Sequence, residues 1–66
     1  MDTVVYGLWR IERVTVDGRP GLRVSRGGRV VAECGGTEAA LALLARGGVP
    51  MDQLARVAQR FGTDSA

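Results

Sequence analysis

Sixty-six residues allow one domain with one small core, because single cores rarely divide below roughly 100 residues. A domain of this size buries only about 60% of the surface its unfolded chain exposes, so a disulfide, a metal or a partner chain usually supports it. Cys34 is the single cysteine and histidine is absent, which excludes an internal disulfide and an ordinary zinc site and leaves a partner chain as the remaining aid.

The net charge of +2 comes from nine basic residues, all arginine, against seven acidic ones. Abundant Gly, Ala, Val and Arg with no lysine or asparagine reads first as the bias of a GC-rich coding genome. Placement says more than abundance. Residues 1–30 carry six arginines against Asp2, Glu12 and Asp17, a balance of +3, whereas residues 31–66 carry three against Glu33, Glu38, Asp52 and Asp64, a balance of −1. The first half is basic and the second is not. Met1-Asp2-Thr3 is no basic leader, and the longest apolar run, Ala39 to Ala45, falls far short of the about 20 residues that cross a bilayer. With an unpaired cysteine, these features give the expectation of a cytoplasmic protein without a membrane partner.

Three stretches alternate with period two: Val14/Val16, Leu22/Val24 and Val30/Ala32/Cys34. A five-residue loop from Asp17 to Gly21 pairs Val16 with Leu22 and keeps Pro20, which cannot donate to a ladder, outside it. A three-residue loop, Arg26-Gly27-Gly28, pairs Val24 with Val30, its glycines supplying positive φ. A two-residue loop there opposes Val24 to Val31 and mixes the faces, which disfavours it. The expected core face is Val14, Val16, Leu22, Val24, Val30, Ala32 and Cys34. The other carries Arg13, Thr15, Arg23, Ser25, Arg29, Val31 and Glu33.

Upstream of Val14 the phase breaks, because Trp9 and Ile11 fall on the arginine side. Either a β-bulge near Glu12-Arg13 returns them to the core, or Trp9, Ile11 and Val31 form an apolar patch ringed by Arg13, Arg23 and Arg29. Such a patch has the residue types in which binding energy concentrates.

Thr37 reads as the N-cap of a first helix, Glu38 to Arg46, ended by Gly47 in a left-handed cap. Glu38, Ala42 and Arg46 form one stripe of it. The remainder is apolar and calls for cover on nearly all sides, with Leu43 the position for a dimer contact. A second helix starts near Val49 or Pro50. Its apolar stripe is Met51, Leu54, Val57, Ala58 and Phe61, and its outer face is Gln53, Arg56, Gln59 and Arg60. Residues 62–66 read as a frayed tail beyond a single domain of residues 1–61.

The expected architecture is therefore α+β: a three-stranded antiparallel β-meander followed by two α-helices packed on one face. Enzyme chemistry has little support, since there is no imidazole base and the carboxylates are scattered singly. Cys34-Gly35-Gly36-Thr37 is the best catalytic-looking segment, with backbone N–H groups able to hold an anion ahead of a helix. Its plainer reading is a small buried residue, a turn and a cap. No cofactor or metal is expected.

Two binding classes remain. The first is protein–protein interaction, most simply a homodimer, through Leu43 or the Trp9/Ile11 patch. The second is DNA binding by either of two readers. Arg13, Arg23 and Arg29 on the sheet resemble, in outline, the three-stranded sheets that read DNA grooves. Leu44 to Val57 is similar to a helix-turn-helix with Gln53, Arg56 and Arg60 facing outward, although strands replace the usual third helix. Protein interaction is the favoured expectation and DNA binding the alternative.

Overall fold

The computed structural model describes residues 2–62. Its elements are β1 (Thr3–Tyr6), β2 (Trp9–Val16), β3 (Arg19–Arg26), β4 (Arg29–Cys34), α1 (Thr37–Arg46) and α2 (Met51–Phe61). The strands form one antiparallel sheet in the order β1-β2-β3-β4, with both helices against the same side. The α+β class and the helical pair agree with expectation, but the sheet has four strands rather than three. The additional strand is β1, which pairs Val4 with Ile11 and Tyr6 with Trp9 across a Gly7-Leu8 turn. A four-residue strand leaves too short an alternation to stand out in the sequence. Of the expected tail at residues 62–66, Gly62 is the C-cap of α2 and residues 63–66 lie outside the described residues.

Register decides which side chains meet the helices. The β2–β3 connection is a two-residue turn at Asp17-Gly18, with φ of +51° and +77°, as a type I′ turn requires. Val16 therefore opposes Arg19, Arg13 opposes Leu22, and Ile11 opposes Val24, without a break along β2. The expected five-residue loop differs by an odd number of positions, and an odd shift exchanges the faces. Trp9 and Ile11 consequently lie in the core with no bulge at Glu12-Arg13. Val14 and Val16, expected inside, lie on the side away from the helices. Pro20 is accommodated within β3 opposite Thr15. The pair next to a closing hydrogen-bonded pair needs no N–H from either residue toward its partner, and β4 ends opposite Leu22, so it does not reach Pro20.

A bulge does occur, in β4. Gly27-Gly28 forms a two-residue turn, with φ of +59° and +84°, and pairs Arg26 with Arg29 and Ser25 with Val30. The ladder then resumes at Val24–Ala32, leaving Val31 as the extra residue. This insertion returns Ala32 and Cys34 to the helix side beside Val24 and Leu22, while Val30 turns outward and is 56% exposed.

The core consists of Val4, Trp9, Ile11, Leu22 and Val24 from the sheet, closed by Ala40, Leu44, Val49, Val57 and Phe61. Helix α1 begins one residue earlier than expected. Gly36 is the N-cap, without a side-chain cap hydrogen bond, and Thr37 is the first helical residue. At its other end Gly48, not Gly47, takes the positive φ of +93°. The Gly48 N–H donates to Ala45 O and the Val49 N–H to Leu44 O, and Val49 packs in the same cluster as Leu44. This is a Schellman motif with its apolar contact. Pro50 precedes α2 as its N-cap. Within α2, Val57 and Phe61 are buried, but Met51, expected on the apolar stripe, is 78% exposed because the stripe begins a turn later at Leu54.

Gly47 is held by a close approach instead. A Cβ built there meets Trp9 Cζ2 at 2.5 Å and Cη2 at 2.8 Å, while the φ of −80° is open to any residue. Gly47→Ala is therefore expected to displace the indole and destabilise the fold by about 1–3 kcal/mol, the range of overpacking. A urea unfolding midpoint indistinguishable from that of the parent chain would contradict the contact.

Candidate binding surfaces

Antiparallel partners share a face, so the register sorts the candidate residues. The face away from the helices has one row of Val5, Arg10, Ser25 and Val30, and a second of Thr3, Glu12, Arg23 and Glu33. Val14 and Gly21 follow, then Val16 and Arg19. Of the expected patch, Arg23 alone is firmly on this face. Trp9 and Ile11 are buried at 8% and 1% exposure. Arg13 is on the helix side with its Cζ 5.3 Å from the centre of the Phe61 ring. Arg29 opposes Arg26 at the end of the β3–β4 hairpin, and Arg26 lies 5.3 Å from the Trp9 ring. Val31 is the bulge residue and is exposed. A cluster of Arg13, Arg23 and Arg29 around an exposed tryptophan is therefore not assembled.

Of the three arginines expected in the patch, the one that faces outward is engaged. Arg23 Nε and Nη2 donate to Glu33 Oε2 at 3.0 and 2.8 Å. Both partners are more than one-third exposed, so the pair adds about 0–1 kcal/mol after solvent screening. Its larger effect is to neutralise the middle of the sheet. Around it stand Val5 and Val30, exposed, with Val14 and Val16 half-buried.

Leu43 is half-buried against the core, and the outward side of α1 is Glu38, Ala39, Ala42, Ala45 and Arg46. Small side chains there reduce the apolar area that the sequence pattern had implied. On α2 the helical period places Arg56, Gln59 and Arg60 outward, while Gln53 is half-buried and accepts from Arg56 Nη1 at 3.4 Å. Arg56, Gln59 and Arg60 border an open groove of about 410 Å³ with Thr3 and Val4. The role of β1 in this groove had no signal in the sequence, because the strand itself had none.

No family model, curated protein or solved structure matches the chain. Among the described residues, no three His, Cys, Asp or Glu side chains are grouped as a metal ion requires. No helix there is long and apolar enough to cross a membrane.

Cys34 ends β4 on the helix side, half-buried, and burial pushes its thiol pKa above the ordinary value. The folded state thus disfavours the thiolate. The associated stability is complete below the unfolded pKa and is lost as pH rises through the folded one. Alkylation by iodoacetamide should be several-fold slower for the native chain than for the chain in urea at pH 8. Equal rates would show that burial does not protect the sulfur.

Proposed function

We propose that the chain is a small non-enzymatic binding module that associates through the uncovered face of its sheet, in the first instance with a second copy of itself. The observation that carries this reading is the one-sided cover of the sheet. Both helices pack on one side, and the other presents Val5, Val14, Val16 and Val30 around a neutralised Arg23–Glu33 pair. The exposed Val5 and Val30 and the half-buried Val14 and Val16 favour removal from water at roughly 25 cal/mol per Å² of apolar surface. The face also carries both charge signs, with Arg10 and Arg19 beside Glu12 and Glu33. A two-fold arrangement brings a face against itself, and this composition supplies opposite charges to either side of the axis. Marginal domain size and the lack of an internal cross-link supply a thermodynamic reason for a partner.

Sedimentation equilibrium on the native chain and on Val30→Asp tests this. The expected result is a concentration-dependent dimer for the native chain and a monomer for the variant, with unchanged far-UV circular dichroism. A monomeric native chain up to about millimolar concentration would remove the homodimer.

DNA binding has a separate support, the pair Arg56 and Arg60 beside the β1–α2 groove. Phosphate contacts by exposed arginines weaken steeply with salt. Anisotropy of a labelled duplex should then fall between about 50 and 200 mM salt and be reduced by Arg56→Ala. Absence of binding at the lower salt retires this reading without affecting the first.

A further inference from the structure

The turns Gly7-Leu8 and Gly27-Gly28 lie at the same end of the sheet, where the Gly27 N–H donates to Leu8 O at 3.0 Å. The α1–α2 connection reaches that end too, because Gly47 abuts the Trp9 indole. Arg46 is the last residue of α1 and Met51 the first of α2. One end of the molecule is thus built from two hairpin tips and a helical corner.

The large apolar side chains exposed among the described residues are Val5, Tyr6, Leu8, Val30, Val31 and Met51. All of them belong to this end. Tyr6 lies in the terminal rung of the sheet with Trp9, Arg26 and Arg29, and Val5 and Val30 lie in the next rung with Arg10. Val31 is the bulge beside Val30, and Leu8 is in the turn. Leu8 and Met51 are the most exposed of the six, at 67% and 78%.

Charge divides the same way. Arg10, Arg26, Arg29 and Arg46 stand exposed at this end against Asp52 alone, a balance of +3. The remaining five arginines of the described residues are balanced by Asp2, Glu12, Asp17, Glu33 and Glu38. Ion pairs among the described residues occur at Arg13–Asp2 and Arg23–Glu33, so the four arginines of this end have no carboxylate partner.

Aliphatic tips among unpaired guanidinium groups call for a region that takes apolar atoms and, beside it, a dense layer of anions. A nucleic acid supplies the second and has no use for an exposed Leu and Met. Turn tips and a helix start are convex, which suits a yielding layer better than a rigid pocket. The border of an anionic bilayer supplies both regions, with headgroup anions above the acyl chains. Tyr6, an apolar ring with a polar tip, is a residue type suited to that depth. We propose that this end of the molecule docks on an anionic lipid surface, with Leu8 and Met51 entering the acyl boundary and Arg26, Arg29 and Arg46 on headgroups. The sequence expectation of no membrane partner rested on the lack of a run long enough to cross a bilayer, which does not bear on lying at its surface. Only Val5 and Val30 belong both to this end and to the open face of the sheet, so the two surfaces are tested apart.

The test is flotation of the full chain with vesicles of phosphatidylcholine, alone and mixed equally with phosphatidylserine. The expected result is recovery with the mixed vesicles, little with the neutral ones, and a fall in recovery between about 50 and 200 mM salt. Leu8→Gln combined with Met51→Gln should lower the partition coefficient about tenfold or more, the loss of two apolar anchors. Both positions are exposed, so the double variant should keep its far-UV circular dichroism and, in sedimentation equilibrium, the mass of the native chain. No recovery with the mixed vesicles, equal recovery with the neutral ones, or undiminished binding by the folded variant overturns the proposal. A lower mass for the variant also overturns it, making this end a contact between copies. Tighter binding to soluble polyglutamate than to the mixed vesicles does so in favour of an acidic polypeptide.

Discussion

A two-residue turn leaves a strand pair no freedom in choosing which side chains share a face. At Asp17-Gly18 the positive φ values commit the chain to such a turn, and the parity of β2 against β3 follows from it. Ile11 and Trp9 are thereby directed to the helices together with Leu22 and Val24, while Val14 and Val16 are directed away. The other packing choices are consequences. Helices can close only the side on which Trp9, Ile11, Leu22 and Val24 stand, and the valines left behind define the open face. Asp17 tolerates the left-handed conformation better than a branched residue, since its short polar side chain bonds locally.

Trp9 then joins the two layers. Its indole reaches the backbone at Gly47, where α1 gives way to the α1–α2 connection, and its ring is accompanied on the exposed side by Arg26. Phe61 at the end of α2 has a similar companion in Arg13. Each aromatic ring at the margin of the core is thus shielded by a guanidinium, an arrangement of about 0.5–1 kcal/mol at exposed sites. Such use of arginine also explains why a chain with nine of them does not present a continuous cationic sheet. Some of the charge is spent on covering the core, and Arg23 is neutralised by Glu33.

Much of the architecture is legible in the residues, and the parts that are not have identifiable reasons. The places of the turns at Asp17-Gly18 and Gly27-Gly28, though not their two-residue lengths, the helix boundaries near Thr37, Arg46 and Phe61, and the outward placement of Arg56 and Arg60 follow from local chemistry and the 3.6-residue period. Pro20 misleads, because its missing donor argues for a loop unless one knows that β4 stops short of it. The bulge at Val31 is equally silent, since one extra residue in a Val-Val pair changes no local preference. These two positions govern face assignment. That is why Arg13 and Arg29 separate from Arg23.

The irregularity in β4 also bears on how the molecule avoids misassociation. A sheet that ends on a straight strand offers a row of free amides and carbonyls to any extended chain, and it risks stacking edge to edge without limit. Here one border strand, β1, has only four residues, and the other, β4, is interrupted at Val31. Neither presents a long regular template. The valines of the outer face thus stand on a sheet without a long straight border on which a further strand could pair.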